Sequence, residues 1–258
     1  MSITNKTFKA LFISDLHGGF IEGQDSLPEN VDILFFLGDN GEMIVRNILE
    51  IYPEAPAYGV AGNHDGSTPF VNTRIIDLHG QAAEVYGLII AGLGGCIKYK
   101  GSKSKWLLTE KEANQVLESI PIHADIIISH SPPAKKNSNG YPVTQKRDTE
   151  FPEAHRGFIE LGKYLDKHSP RAVFHGHLHK CQDYFHNNTL VKGIYGIEEV
   201  YFEKYPTYLR IKYYTTKILR PENQKEQNNR YSYIRTHIEE RLKRFARQIR
   251  WWPSPPGS

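Results

Sequence analysis

Lys9-Ala-Leu-Phe-Ile-Ser-Asp15-Leu-His17 is the stretch on which the fold turns. A run of mainly apolar residues, free of Gly and Pro, gives way within two positions to Asp and then His. Such a run reads as a buried strand, and α/β sheets gather ligands beyond the carboxyl ends of their strands. The arrangement recurs along the chain. Val31-Asp-Ile-Leu-Phe-Phe-Leu37 precedes Gly38-Asp39-Asn40, and Ala57-Tyr-Gly-Val-Ala61 precedes Gly62-Asn63-His64-Asp65. Ala124-Asp-Ile-Ile-Ile128 precedes Ser129-His130, and Arg171-Ala-Val-Phe-His175 precedes Gly176-His177-Leu178-His179. Five strand ends delivering Asp, His and Asn to one edge would assemble a metal site from distant segments. Asp32 and Asp125 interrupt two of the runs and are expected near strand starts, and His175 is expected to point into packing.

Helical stretches alternate with these strands. Glu42 to Tyr52 carries Met43, Ile44, Ile48, Leu49 and Ile51 at helical spacing. Thr109 to Ile120 opens with a Thr-x-x-Glu capping box, Thr109 with Glu112, and Arg156 to His168 repeats the apolar period. After Lys180 the period shortens. Cys181–Phe185, Thr189–Lys192, Gly196–Phe202 and Tyr208–Thr215 read as a run of paired strands. Strand–helix alternation followed by a strand-rich end predicts an α/β fold: a four-layer αββα sandwich of two mixed β-sheets flanked by helices, with an appended C-terminal helix.

The 258 residues divide into a domain over 1–219, a polar linker over 220–230 and a basic amphipathic helical tail over 231–258. In the tail Ile234, Ile238, Leu242, Phe245 and Ile249 recur at helical intervals. From Arg220 onward nine Lys or Arg face four Glu, a net +5, so the remainder is −2 and the chain's +3 resides in its tail. With 24% charged and 39% hydrophobic residues the chain belongs among ordinary globular proteins rather than disordered ones. Apolar stretches are too short for a transmembrane segment. The start runs directly into a strand without a signal-peptide core, and the two cysteines, Cys96 and Cys181, form no paired motif, so a reducing, cytoplasmic location is expected. A polar stretch between Ser131 and Pro152 follows His130 and is expected over the site, where Lys135, Lys136, Lys146 and Arg147 could meet phosphate or simply be solvated.

A divalent metal at a hydrolytic site needs anionic or imidazole ligands and a position left for water or substrate. A carboxylate has two oxygens and can bridge two metals. Asn63 supplies a neutral amide oxygen, which limits the anionic charge gathered there. His177 and His179 are two apart, too close to share a helix face, and on a turn could splay toward two neighbouring metals.

The ordered set Asp15-x-His17, Gly38-Asp39, Gly62-Asn63-His64-Asp65, His130 and Gly176-His177-x-His179 resembles the calcineurin-like metallophosphoesterase superfamily. The resemblance implies two divalent cations. Asp15, His17 and His179 would hold the first, Asn63, His130 and His177 the second, and Asp39 would bridge them. It also implies that His64 contacts the phosphate and protonates or stabilises the leaving oxygen, that Asp65 orients the His64 imidazole, and that a metal-bound hydroxide attacks. The protein Ser/Thr phosphatases of the superfamily read Gly-Asp-x-x-Asp-Arg-Gly at the second motif and Glu after the third His; here the second is Gly38-Asp39-Asn40-Gly41-Glu42 and the third ends in Asp65. Ala91-Gly92-Leu93-Gly94-Gly95 with Ser129-His130-Ser131-Pro132-Pro133 looks more like the small Icc-related predicted phosphoesterases of prokaryotes.

The expected function is hydrolysis of a phosphomonoester or phosphodiester, with a small phosphate ester as substrate. Mixed Asn/Asp/His sites accept Mn, Fe, Zn, Ni or Co, with Mn favoured. Two alternatives stand beside it. A nuclease or nucleic-acid-associated phosphodiesterase would use the basic tail with Tyr231, Tyr233, Phe245, Trp251 and Trp252; that helix could equally dock on its own domain, pair with a second subunit as a homo-oligomer, or lie on an anionic membrane surface. The other is a non-catalytic scaffold of the same fold. The remaining histidines, among them His79, His123, His155, His168, His186 and His237, fit no motif and read as structural.

Overall fold

The computed structural model describes residues 6–17, 27–99, 101, 104–121, 123–134, 152–205 and 209–214. One sheet contains β1 (Lys6–Ser14), β2 (Ile33–Phe36), β3 (Ala57–Gly59), β4 (Ile76–Asp77), β13 (Gly196–Lys204) and β14 (Leu209–Tyr214), in the order β14-β13-β1-β2-β3-β4. The other contains β5 (Ala82–Val85), β6 (Leu88–Leu93), β9 (Ile126–Ser129), β10 (Ala172–His175), β11 (Asp183–His186) and β12 (Thr189–Gly193), in the order β11-β12-β10-β9-β6-β5. Both are mixed. β1 to β4 pair in parallel while β13 runs antiparallel to β1, and β6, β9, β10 and β12 pair in parallel between antiparallel edges. A small parallel pair, β7 (Cys96–Ile97) with β8 (Leu107–Leu108), completes the strands.

Apolar side chains from both sheets meet between them. Phe12 on β1 stacks on Phe174 on β10 with ring centroids 4.3 Å apart, and on Phe35 at 4.9 Å. Such pairs add about 0.5–1.5 kcal/mol each beyond the area they bury. The outer faces are covered by helices. α1 (Glu42–Ile51) buries Ile44, Val45 and Ile48 against Leu11, Ile13, Leu34 and Phe36. α2 (Glu110–Glu118) and α3 (Ile159–His168) bury Ala113, Leu117, Leu161 and Leu165 against Ile127, Val173 and Val191. The four layers of the expected sandwich are therefore present. No helix among the described residues is long and apolar enough to cross a membrane.

Local chemistry sets the element ends. Thr109 and Glu112 form the reciprocal capping box, with Glu112 N donating to Thr109 Oγ1 at 3.2 Å and Thr109 N to Glu112 Oε2 at 2.7 Å. Asp32 accepts from Lys9 N at 2.7 Å and Asp125 from Ile89 N at 3.0 Å, so each carboxylate satisfies an amide of a neighbouring strand. α3 begins at Ile159 rather than Arg156. Gly157 turns with φ 81°, Phe158 is extended, and the first helical amides, Ile159 N and Glu160 N, go to Glu110 at 3.1 Å each.

The strand-rich end departs from a single run of paired strands. β11 and β12 extend the second sheet, whereas β13 crosses to the first and pairs with the whole of β1, from Lys6↔Lys204 to Ser14↔Gly196. β13 buries Val200 and Phe202 between the sheets and Ile197 on the α1 side. A strand apolar on both faces needs a layer on each, and the first sheet supplies it. The polar stretch 135–151, the linker 220–230 and the tail 231–258 lie outside the described residues.

Candidate metal centre

The nine residues singled out from the sequence sit at or just beyond strand ends of the two sheets. Asp15 and His17 follow β1, Asp39 follows β2, and Asn63, His64 and Asp65 follow β3, all on the first sheet. His130 follows β9, and His177 and His179 follow β10, on the second. Hydrogen bonds knit these exits together. Asp15 N donates to Gly38 O at 3.1 Å and His17 N to Asp39 O at 2.8 Å; Gly176 N donates to His130 O at 2.9 Å. Across the sheets, His177 N donates to Asp15 Oδ2 at 2.8 Å, beside Ser14 Oγ at the same distance.

Tight turning is the common local feature. Asp15, His17, Asp39, His177 and His179 have φ of 58°, 49°, 56°, 66° and 49°, the left-handed region. Each such non-Gly residue costs roughly 1–2 kcal/mol and persists where surrounding structure dictates it. Close approach adds a steric demand. A Cβ on Gly62 would lie 2.0 Å from Asp39 Oδ1, and one on Gly176 would lie 1.9 Å from Ser14 Oγ. Only glycine fits at either position.

The ligand-type atoms converge in two groups. Those of Asp15, His17 and His179 lie within 4.8 Å of one another, as do those of Asp15, Asp39 and His130. In the first group His17 Nε2 and His179 Nε2 are 3.0 Å apart, and His179 Nε2 is 3.6 Å from Asp15 Oδ1. In the second His130 Nε2 lies 3.3 Å from Asp39 Oδ2 and 3.0 Å from Asn63 Oδ1. Asp39, Asn63, His64, His177 and His179 line one cavity of about 180 Å³. Two imidazoles have their tautomers fixed from behind. His130 Nδ1 donates to Leu37 O at 2.7 Å and His177 Nε2 to Ala154 O at 2.8 Å, which leaves Nε2 of His130 and Nδ1 of His177 as the nitrogens that a cation would take.

Electrostatics point the same way. Asp15 is fully buried, and burial pushes its carboxyl up to about 7. Its Oδ1 makes no hydrogen bond. Burial lowers His17 and takes His179 down to about 4, keeping both neutral and able to coordinate. His130 is buried too, yet the Asp39 carboxylate overrides that and holds it at about 9, while Asp39 itself is held well below the usual carboxylate range. An orphaned, fully buried carboxylate oxygen beside the neutral imidazoles of His17 and His179 fits a cation, which would offset the buried negative charge and take the place of the proton that Asp39 holds on His130. The donor set of carboxylates, imidazoles and one amide suits a first-row divalent metal.

Asp65 is placed differently from the expectation. Its Oδ2 accepts from Gly62 N at 2.7 Å and Asp39 N at 3.0 Å, and it makes no hydrogen bond to the His64 ring. The amides of that double turn would otherwise be orphaned, and they capture the carboxylate. His64 is exposed, donates its own N–H to Asp39 Oδ1 at 2.8 Å, and sets its ring edge-on to His17 at 5.5 Å. Besides Ala154, two ring-bearing residues that carry no motif line the cavity: Tyr99, just after β7, and His155, at the end of the 3₁₀ turn Pro152–His155. His155 reads as structural from the sequence; its ring lies 5.0 Å from that of His177. No local pattern marks either, since their proximity to the site is purely tertiary.

A sequence model for one family, the calcineurin-like phosphoesterases, matches residues 8–181. Among solved structures, a protein from Thermus thermophilus superposes with a TM-score of 0.54 and 14% identity over 82% of this chain and 100% of its own. Purple acid phosphatase PPD1 from yellow lupin (Lupinus luteus) has a TM-score of 0.50 and 13% identity over 82% of this chain and 52% of its own. GAP50, the anchor in the inner membrane complex of Plasmodium, has a TM-score of 0.50 and 12% identity over 82% of this chain and 85% of its own. At such identities the likeness is one of fold. No curated protein sequence matches the chain.

Proposed function

Because the chain belongs to the calcineurin-like phosphoesterases, we propose that it hydrolyses a small phosphate ester, a monoester or a diester, with two divalent cations. Asp15, His17 and His179 would hold one cation, and Asn63, His130 and His177 the other. Asp39 would bridge them: its charge is felt by His17, His130, His177 and His179 alike. The observation that carries the reading is the buried Asp15 carboxylate, whose Oδ1 makes no hydrogen bond and which belongs to both groups of converging ligands.

When bound, such a pair of cations supplies Lewis acidity to the phosphoryl oxygens and acidifies a water enough to attack near neutral pH. The chain's own residues do the rest. His64, exposed at the cavity and anchored through its N–H to Asp39, is placed to donate a proton to the departing alkoxide or aryloxide. Asp65, by gripping Gly62 N and Asp39 N, fixes the turn that presents Asn63 and His64. Leu37 O and Ala154 O hold the imidazoles of His130 and His177 in coordinating orientation.

Manganese is the cation to try first, with Fe, Zn, Ni and Co as comparisons. Protein stripped with chelator and reloaded should hydrolyse p-nitrophenyl phosphate or bis(p-nitrophenyl) phosphate only in its loaded form. Folded, metal-replete protein that turns over neither ester with any of these cations would overturn the reading and leave the scaffold alternative.

A further inference from the structure

Within the cavity, five of the lining residues belong to the metal and phosphoryl machinery: Asp39, Asn63, His64, His177 and His179. The rest of its lining is Tyr99, Ala154 and His155. We propose that Tyr99 and His155 form the wall against which the organic group of the ester rests, so that they select the substrate rather than assist the chemistry. The proposal builds on the phosphoesterase reading above.

Chemistry distinguishes this wall from the metal side. It offers the phenol of Tyr99 and the imidazole of His155, two rings that each carry a hydrogen-bonding group, beside Ala154. Among the described lining residues there is no Lys or Arg. Such a surface suits a compact group that rests against rings. Size agrees. The cavity's volume of about 180 Å³ is below the roughly 300–1,000 Å³ of pockets that enclose drug-sized ligands. It admits a phosphoryl group with a small organic group, or one end of a longer ester.

The wall is also built to hold its position. His177 Nε2 donates to Ala154 O, so the bond that orients a proposed metal ligand also pins the turn carrying His155. On the far side of that turn Arg156 pairs with Glu110 at 2.8 Å, and Phe158 N donates to Pro132 O at 2.9 Å, next to the segment that follows His130. Tyr99 follows Lys98, whose N–H donates to Leu108 O at 2.8 Å. A recognition group anchored to the same frame as the reacting centre discriminates because it does not retreat.

The test uses the full-length, manganese-loaded protein and two ligands that need no turnover. Inorganic phosphate lacks an organic group, whereas phenylphosphonate carries one. By isothermal titration, Tyr99→Leu and His155→Leu should each weaken phenylphosphonate about 10-fold, the scale set by a few lost pocket contacts, with phosphate affinity and metal content held. In turnover the same variants should raise KM for p-nitrophenyl phosphate and change kcat little. Equal weakening of both ligands, or loss of metal, would overturn the assignment and make the two residues structural. If a leucine variant does not fold, Tyr99→Phe and His155→Gln address the hydroxyl and the imidazole separately, and no loss of phenylphosphonate affinity in either would also overturn it. Loaded parent protein that binds neither ligand would instead strike the phosphoesterase reading itself.

Discussion

The indole Nε1–H of Trp106 donates to the carbonyl oxygen of Gly66 at 2.7 Å. A residue beside β8 thereby steadies the turn that presents Asn63 and His64. Trp106 is buried, Lys105 lies over its ring with Nζ 4.4 Å from the centroid, and His79 meets it edge-on at 5.3 Å. Trp106→Phe keeps much of the aromatic surface and loses the donor. The fold should lose about 1 kcal/mol from that bond, its usual worth. The fall in kcat should exceed the change in KM, because His64 is what drifts. Steady-state kinetics with metal analysis would check it; unchanged kcat refutes the tether.

Asp15→Asn removes the one carboxylate shared by both ligand groups while keeping its shape. Metal content measured by mass spectrometry should fall below one equivalent, and activity should drop by about 100-fold or more, beyond the 10–100-fold typical of outer-shell partners. The chelated form should be no less stable than the parent, because a fully buried carboxylate with an unpartnered oxygen has gone. A variant that retains two equivalents would remove Asp15 from the centre.

The metal-free protein should lose stability as pH rises. Burial alone would lower His130, but Asp39 raises it to about 9 in the fold, against about 6.5 in the unfolded chain. A raised folded value means that the native state binds the extra proton, so this contribution is complete below about pH 6.5 and disappears as pH climbs through 9. Asp15, raised to about 7 by burial, has the same sign over a lower window. Cations replace these protons. Melting temperature in chelator should therefore decline between about pH 7 and pH 9, and the gain from added manganese should widen over the same range. Parallel curves with and without metal would contradict this.

Lys192 and Glu198 form an ion pair at 2.7 Å between the sheets, with their side chains 5% and 0% exposed. Lys192→Met alone strands a buried carboxylate and should cost about 3–5 kcal/mol, whereas the double replacement Lys192→Met with Glu198→Leu should recover most of it. Urea denaturation of the single and double variants checks the sign; additive losses would show that the pair has no coupling.

How far the sequence can be read depends on how local each interaction is. The Thr109–Glu112 box and the carboxylates of Asp32 and Asp125 are settled within a few residues or by one neighbouring strand, and periodicity exposes them. The hairpin of β5 and β6 escapes such a reading, although β6 is paired on both sides within its sheet. Its turn is Tyr86-Gly87, at φ of 51° and 77°, and Tyr gives none of the Asn-Gly or Asp-Gly signal that usually betrays such turns. The partner of β13 is equally hidden, because nothing in Gly196–Lys204 says which sheet will cover its second face. The ligand set shows through because each motif needs a fixed residue type at a strand exit. Asp65 does not: adjacency to His64 suggests the imidazole, but two backbone amides are closer in space.

The proposed ligands divide between the two sheets, four from the first and three from the second. A cation pair seated among them would act as a removable clasp across the mouth of the sandwich, with Asp15 as the catch. Its strength would follow the surroundings: occupancy at 100 times the dissociation constant adds about 2.7 kcal/mol to folding. The protein's persistence in a cell, and not only its turnover, would then be metered by the local supply of divalent metal.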